Sequence, residues 1–176
     1  MNLEQLLYLP FGNNIIIGPH IKDQLNFLSK IIPENFKGKE LYDLGCGDGK
    51  ITILLQKIFQ PKITLGCDIN PNLVDRTKKK GIKAKVIDLE NNIPRGELAV
   101  MWGVLHHLKE QDKTLRKIKN NFQLLFLREP LLEKKSFLEL GRPFKKEELE
   151  DKVSKSLGSC QISEHRNASF IFWQRD

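Results

Sequence analysis

Residues Leu41-Tyr42-Asp43-Leu44-Gly45-Cys46-Gly47-Asp48-Gly49-Lys50 constrain this chain more than any other stretch. A short apolar run enters a turn with glycines at alternate positions. A helical pattern follows at once, with Ile51, Leu54, Leu55 and Ile58 spaced along one face. Glycine has no side chain and tolerates positive φ, so the turn can bring bare backbone against a small ligand. A helix starting behind it adds free N–H groups. The pattern predicts the first strand, turn and helix of an α/β sheet, with a nucleotide-like ligand at the turn.

The rest of the chain continues the alternation. Ile21, Leu25, Leu28, Ile31 and Ile32 give a first amphipathic helix from about His20 to Ile32, ended by Pro33. Strands are predicted over Glu40–Leu44, Ile63–Asp68, Lys83–Ile87, Leu98–Trp102 and Phe122–Arg128. The last is apolar almost throughout and is therefore expected to be central. Helices are predicted from Lys50 to Phe59, from Pro71 to Lys80, from Glu110 to Asn120 and from Lys145 to Leu157. Cys160–Arg166 and Ala168–Gln174 read as a closing hairpin around Asn167. Strands alternating with helices give a parallel sheet covered on both faces, to which the hairpin is added.

A length of 176 residues suits one domain with a real core. No apolar run approaches the roughly 20 residues that span a bilayer. The start, Met1-Asn2-Leu3-Glu4-Gln5, lacks the basic and apolar regions of a secretion signal. Cys46, Cys67 and Cys160 form neither a Cys-x-x-Cys pair nor a zinc spacing. Free thiols in a cytoplasmic protein without metal or membrane are the expectation. Cys46, between two turn glycines, reads as a small residue that fits rather than as a nucleophile.

Four spaced signals carry a family resemblance. Leu41 to Gly49 is the first. Gly66-Cys67-Asp68-Ile69-Asn70-Pro71, where an acidic residue ends the second strand, is the next. Val86-Ile87-Asp88-Leu89-Glu90 and Trp102-Gly103-Val104-Leu105-His106-His107-Leu108 follow. In this order the chain resembles the class I S-adenosylmethionine-dependent methyltransferases, and among them the small single-domain members of the methyltransferase type 11 subgroup. The resemblance runs from about Lys39 to the C-terminus. It implies a Rossmann-like, doubly wound, mostly parallel seven-stranded sheet with an antiparallel terminal hairpin. Residues 39–176 would form the core of a single domain, and residues 1–38 a helix and covering segment. The cofactor implied is S-adenosylmethionine.

Ligands of such sheets sit outside the carboxyl ends of the strands. On that rim the resemblance implies cofactor contacts from Asp43, Gly45, Cys46, Gly47, Asp68, Ile69, Asp88, Leu89, Trp102 and Gly103. A carboxylate at Asp68 can accept from both ribose hydroxyls. Asp88 can accept from the adenine amino group, while the Leu89 N–H reaches a ring nitrogen. Asp43 helps to hold the methionine ammonium, and Trp102 and Gly103 lie near the methionine portion. Read singly, Asp68 could instead cap the helix at Pro71, and Asp88 could be an ordinary loop carboxylate. Asp48 and Lys50 read as surface residues of a helix start. A nicotinamide dinucleotide site would need Gly-x-Gly-x-x-Gly, and here the third glycine comes one position early.

Methyl transfer from a sulfonium is an in-line displacement, so alignment and exclusion of water matter most. A base is needed only if the acceptor must lose a proton. His106 and His107 just beyond the fourth strand, and Glu129 at the exit of the fifth, are the candidate bases; Glu129 could equally fix a loop. His20 and His165 read as surface or structural residues. The Asn/Asp-Pro-Pro-Tyr/Phe motif of family members that methylate planar nitrogens is absent. Tyr8 to His20, with Tyr8, Phe11, Asn13 and Asn14, and Glu129 to Arg142, with Phe137 and Leu138, are candidate lids.

The net charge of +7 raises the question of an RNA partner. Arg76, Lys78, Lys79, Lys80, Lys83 and Lys85 cluster at a helix end and strand start, a junction opposite the cofactor rim. Lys117 and Lys119 fall on the same far edge, and cations at helix C-termini are favoured in any case. A small-molecule acceptor is therefore the leading expectation. RNA or protein is the alternative, as is a cofactor-binding subunit that acts only with a partner.

Overall fold

The computed structural model describes residues 18–132 and 142–175. The chain divides into two compact units, residues 1–32 and 33–176. In the first, α1 (Gly18–Ile31) stops shortly before Pro33, as the sequence predicted. Its Gln24 Nε2 lies 2.9 Å from His20 Nε2, one turn away.

The second unit holds β1 (Glu40–Leu44), α2 (Lys50–Phe59), β2 (Ile63–Asp68), α3 (Pro71–Lys79), β3 (Lys83–Val86) and β4 (Gly96–Trp102). It continues with α4 (Gln111–Asn121), β5 (Phe122–Pro130), α5 (Lys146–Leu157), β6 (Gln161–His165) and β7 (Ala168–Gln174). One seven-stranded sheet results, in the order β3-β2-β1-β4-β5-β7-β6. The first five strands of that order pair in parallel, and β7 runs antiparallel to both neighbours. This is the doubly wound sheet with an antiparallel hairpin that the sequence implied.

Each face has its own core, because alternate residues of a strand point to opposite sides. On one face Phe126 of β5 packs at 5.5 Å from Phe59 of α2 and 5.0 Å from Phe172 of β7, and Phe36 meets Phe172 edge-on at 5.2 Å. On the other, Met101, Leu125, Leu127 and Ile171 join Leu115 and Ile118 of α4 and Leu149, Val153 and Leu157 of α5. The indole of Trp173 donates to the Leu157 carbonyl at 3.0 Å, which satisfies its one polar group inside that core.

Two strands are longer than predicted. β4 starts at Gly96, where a Cβ would lie 2.2 Å from the Tyr42 ring, so the missing side chain makes room for the tyrosine. β5 runs on through Glu129 and Pro130, because the antiparallel ladder with β7 continues to the Pro130–Ala168 pair. Among the described residues no helix is long and apolar enough to cross a membrane.

Phe126 is buried where the aromatic contacts of one face converge. Phe126→Ala should destabilise the fold by about 3–5 kcal/mol, read as a lower midpoint in urea denaturation. A change below about 1 kcal/mol would mean that this face is not the core described.

Candidate active site

The glycine turn joins β1 to α2. Gly45 and Gly47 have φ of 88° and 55°, left-handed values that a side chain disfavours. The N–H groups of Gly45 and Cys46 donate to the Cys67 carbonyl at 2.7 and 2.9 Å, which fastens the turn to β2. The glycines then differ in purpose. A Cβ on Gly45 would lie 2.4 Å from Val104, and one on Gly49 would lie 2.9 Å from Thr77, so these two are demanded by packing. A Cβ on Gly47 would meet nothing within 4 Å. Gly47 therefore presents bare backbone to open space, as a ligand cradle requires. Its carbonyl is held by the Thr77 hydroxyl at 2.9 Å. Cys46 is buried, and burial pushes its thiol pKa up, so it holds no nucleophilic thiolate.

Asp68 ends β2 beside this turn. One carboxylate oxygen accepts from the Gly47 N–H at 2.9 Å and the other from the Asn70 N–H at 2.9 Å. Burial raises its pKa, and these backbone donors act against the rise. Asn70, not Asp68, caps α3: its side chain accepts from the Asn72 N–H, with Pro71 in the first turn. Asp68 is left to the turn. Ile69 beside it is 61% exposed, an unusual state for isoleucine. Asp43 lies behind the turn, buried, and accepts from the Thr52 hydroxyl at 2.5 Å. Burial pushes its pKa up to about 6; the Thr52 bond lowers it and the nearby Asp68 charge raises it.

Beyond β3, the Asp88 carboxylate accepts from the Glu90 N–H at 3.0 Å and the Asn91 side-chain amide at 2.6 Å. It shapes its own loop, as the plainer reading of the sequence allowed. The side chain of Leu89 enters the apolar core.

The loop after β4 is organised by one carboxylate. Glu129 of β5 is fully buried. Its Oε1 accepts from the N–H groups of Val104 and Leu105, both at 2.9 Å. Its Oε2 accepts from the His106 N–H at 3.3 Å and lies 2.6 Å from His106 Nδ1. A carboxylate there requires Nδ1 to carry the hydrogen, which leaves Nε2 as the nitrogen with a free lone pair. The Glu129 carboxylate is thus engaged by the loop and by His106, the loop-fixing alternative that the sequence also offered. His107 stacks beside His106 at 3.9 Å between ring centroids.

Trp102 stands at the end of β4, edge-on to Phe170 at 6.2 Å, with the Arg128 guanidinium 5.4 Å from its ring. Gly103 turns away with φ of 67° and donates to the Arg128 carbonyl at 2.7 Å. The buried Arg128 was missed in the sequence; the signal was a charged pair, Arg128-Glu129, closing an otherwise apolar strand.

Because the strands are parallel, all these residues share one rim: Asp43 and the turn from β1, Asp68 and Ile69 from β2, Asp88 and Leu89 past β3, Trp102 to His107 from β4, and Glu129 from β5. Tyr8, Phe11, Asn13, Asn14, Phe137 and Leu138 lie outside the described residues. Part of the basic cluster is committed internally. Lys80 reaches the Asp48 carbonyl at 2.8 Å, and Lys117 bonds the Glu90 carbonyl at 2.6 Å. Among the described residues no group of three or more His, Cys, Asp or Glu is placed to hold a metal ion.

A family model described as a methyltransferase domain matches residues 18–159. Juvenile hormone acid O-methyltransferase of Bombyx mori is 28% identical over 95 residues, covering 47% of this chain and 34% of that protein. The chain thus spans about a third of the length of that curated relative. The fold is similar to a chain in the complex between a Haloferax volcanii methyltransferase activator and a methyltransferase, with a TM-score of 0.76, 10% identity and coverage of 99% and 98%. It is also similar to human N-acetylserotonin methyltransferase in complex with S-adenosylmethionine, with a TM-score of 0.70, 15% identity and coverage of 86% and 51%. With most of its length matched, the chain belongs to the methyltransferase domain family, and its glycine turn and strand order give it the fold of the S-adenosylmethionine-bound structure above.

Proposed function

We propose that this chain methylates an oxygen of a small-molecule acceptor, with His106 as general base and Glu129 as the residue that positions it. The observation that supports this reading is the carboxylate-held histidine on the same rim as the open-faced Gly47 and its partner Asp68. The O-methyltransferase activity of the Bombyx mori relative agrees with an oxygen acceptor.

The residues present suit the cofactor. Gly47 leaves room for close approach, Asp68 offers acceptor lone pairs for ribose hydroxyls, and exposed Ile69 offers an apolar face for adenine. Asp88 and the Leu89 N–H address the base edge. Asp43, with Gly45 and Cys46 in front of it, favours the ammonium end, and Trp102 and Gly103 flank the methionine chain. When bound, the cofactor supplies an electrophilic methyl group on a sulfonium. His106 Nε2 would take the proton from an acceptor hydroxyl, which would free an oxygen lone pair for the methyl group that the bound cofactor would supply. The Glu129 carboxylate stabilises the resulting imidazolium and holds its ring plane.

RNA is the weaker reading, since Lys80 and Lys117 spend their ammonium groups on main-chain carbonyls. A methyl-transfer screen of lysate separated into small molecules, RNA and protein tests the acceptor class. Label confined to the RNA or protein fraction would reject the proposal.

Asp68→Ala should weaken S-adenosylhomocysteine binding by roughly tenfold or more, because charge-assisted hydrogen bonds are lost. An unchanged dissociation constant by calorimetry would show the ribose lies elsewhere.

His106→Ala should lower kcat by about 10²–10⁴ while leaving cofactor affinity intact. Glu129→Gln should lower kcat with little change in the KM for the acceptor or in cofactor affinity, a split that a purely structural role would not give.

Asp43 also gives the fold a pH dependence. Its pKa is raised from 3.8 to about 6 on folding, so the native state holds the proton more tightly. Its contribution to stability is complete below about pH 4 and is lost as pH rises through about 6. In the ligand-free protein, Asp43→Asn should flatten this decline in melting temperature across that window. An unaltered profile would place the titration on another group.

A further inference from the structure

At the opposite pole of the 33–176 unit, where the parallel strands begin, a cavity of about 330 Å³ is lined by Asn35, Lys39, Gln123, Leu124, Gln174 and Arg175. Two cations and three amides face it over a leucine floor, with no carboxylate among the described lining residues. Among the described residues neither Lys39 nor Arg175 takes part in an ion pair, whereas Lys37, Lys50, Lys78, Lys80, Lys146, Lys152 and Lys155 do.

The walls are fixed. Asn35 donates its amide hydrogen to Gln174 Oε1 at 2.7 Å, joining the short turn before β1 to the end of β7. The Arg175 N–H donates to the Gln123 carbonyl at 2.8 Å, and its guanidinium donates through Nη2 to the Lys119 carbonyl. One edge of the guanidinium is thereby anchored. A guanidinium carries five N–H donors in a planar fork, so further donors remain for an anion. Gln123 and Gln174 are exposed and add neutral amide groups around these charges.

We propose that this cavity is a second binding site, for a phosphate monoester carried on a sugar or nucleoside. A phosphate monoester is close to a dianion at pH 7 and matches two cations in charge. Its oxygens suit the guanidinium fork. The volume lies at the lower end of the range for small-ligand sites, about 300–1,000 Å³, and exceeds what bare phosphate fills. The amides are placed for the hydroxyls of the carrier. The site stands a strand's length from the cofactor rim, on the order of 15 Å at 3.3 Å per residue, and takes no part in methyl transfer. The phosphate could arrive on a free metabolite or on the 5′ end of an RNA.

Calorimetry on the full chain saturated with S-adenosylhomocysteine separates these sources and closes the rim to adenine-bearing probes. Ribose 5-phosphate, adenosine 5′-monophosphate and a short RNA with either a 5′-phosphate or a 5′-hydroxyl are titrated. The expected result is one saturable site for the phosphorylated probes. Lys39→Ala and Arg175→Ala should each weaken it by roughly tenfold, with S-adenosylhomocysteine affinity unchanged. Tighter binding of the 5′-phosphorylated RNA than of ribose 5-phosphate assigns the site to an RNA end; equal or weaker binding assigns it to a free phosphorylated metabolite. No saturable binding of any phosphorylated probe at millimolar concentration would overturn the proposal. So would binding that survives the Lys39→Ala, Arg175→Ala double variant, or RNA binding indifferent to the 5′-phosphate.

Discussion

The parallel pairing of β1 with β2 on one side and with β4 on the other sets where chemistry can take place. Asp43 is in register with Gly66 and with Val100 at once. Three neighbouring strands therefore end together, and their loops leave on the same side. A central parallel strand is covered on both faces, so its polar residues can reach a ligand only at its end. The sequence places carboxylates there, and the register gathers them: Asp43, Asp68 and, one loop further, Asp88. Antiparallel β7 then extends β5 by two residues past its predicted end, and that extension carries Glu129 to the height of the loop it must grip.

The acidic residues of the rim share a physical logic. Each accepts hydrogen bonds from its own chain before any ligand arrives. Asp68 takes two backbone N–H groups, Asp43 a buried hydroxyl, and Glu129 three backbone N–H groups and an imidazole. Donors of this kind offset the cost of removing a carboxylate from water. They offset it incompletely: Asp43 and Asp68 both keep raised pKa values, chiefly through burial, with the charge of Asp68 adding to the rise at Asp43. A rim that is still short of positive charge favours a cationic ligand. The charge distribution on a sulfonium and an ammonium answers that need, which is why the same residues suit the family's cofactor and would suit a pyrophosphate poorly.

Much of this was legible in the order of residues. Strand, turn and helix at Leu41–Lys50 can be read because period, glycine spacing and the first helical face are all local. The division of labour within the turn is not local. Gly45 must be glycine because Val104 arrives from the far side of β4, and Gly49 because Thr77 arrives from α3. Asp68 can be read as a cap for α3 in one dimension; in the structure Asn70 caps the helix and Asp68 turns back to Gly47. His106 and His107 are indistinguishable as neighbours in sequence. They part only when β5 brings Glu129 within 2.6 Å of one of them. Pro130 lacks an N–H, a loss that the very end of β5 tolerates.

Charge shows the same gap between composition and arrangement. A net charge of +7 suggests a basic surface, but the cations are unequally available. Lys80 and Lys117 close loop carbonyls, and Lys146 sits 2.5 Å from Glu164. Such groups serve the fold, and a polyanion would have to compete with partners already in place. Exposed pairs of this sort are individually weak, about 1 kcal/mol or less, so they cannot by themselves decide what binds. Lys39 and Arg175, which among the described residues have no carboxylate partner, meet around one hollow at the pole where neither the glycine turn nor the β4 loop reaches. Recognition there depends on the spacing of Lys39 and Arg175 around one hollow and owes little to the overall excess of lysine. The acidic rim and the basic pole are thus separate consequences of a single sheet, whose strands all begin on one side and end on the other.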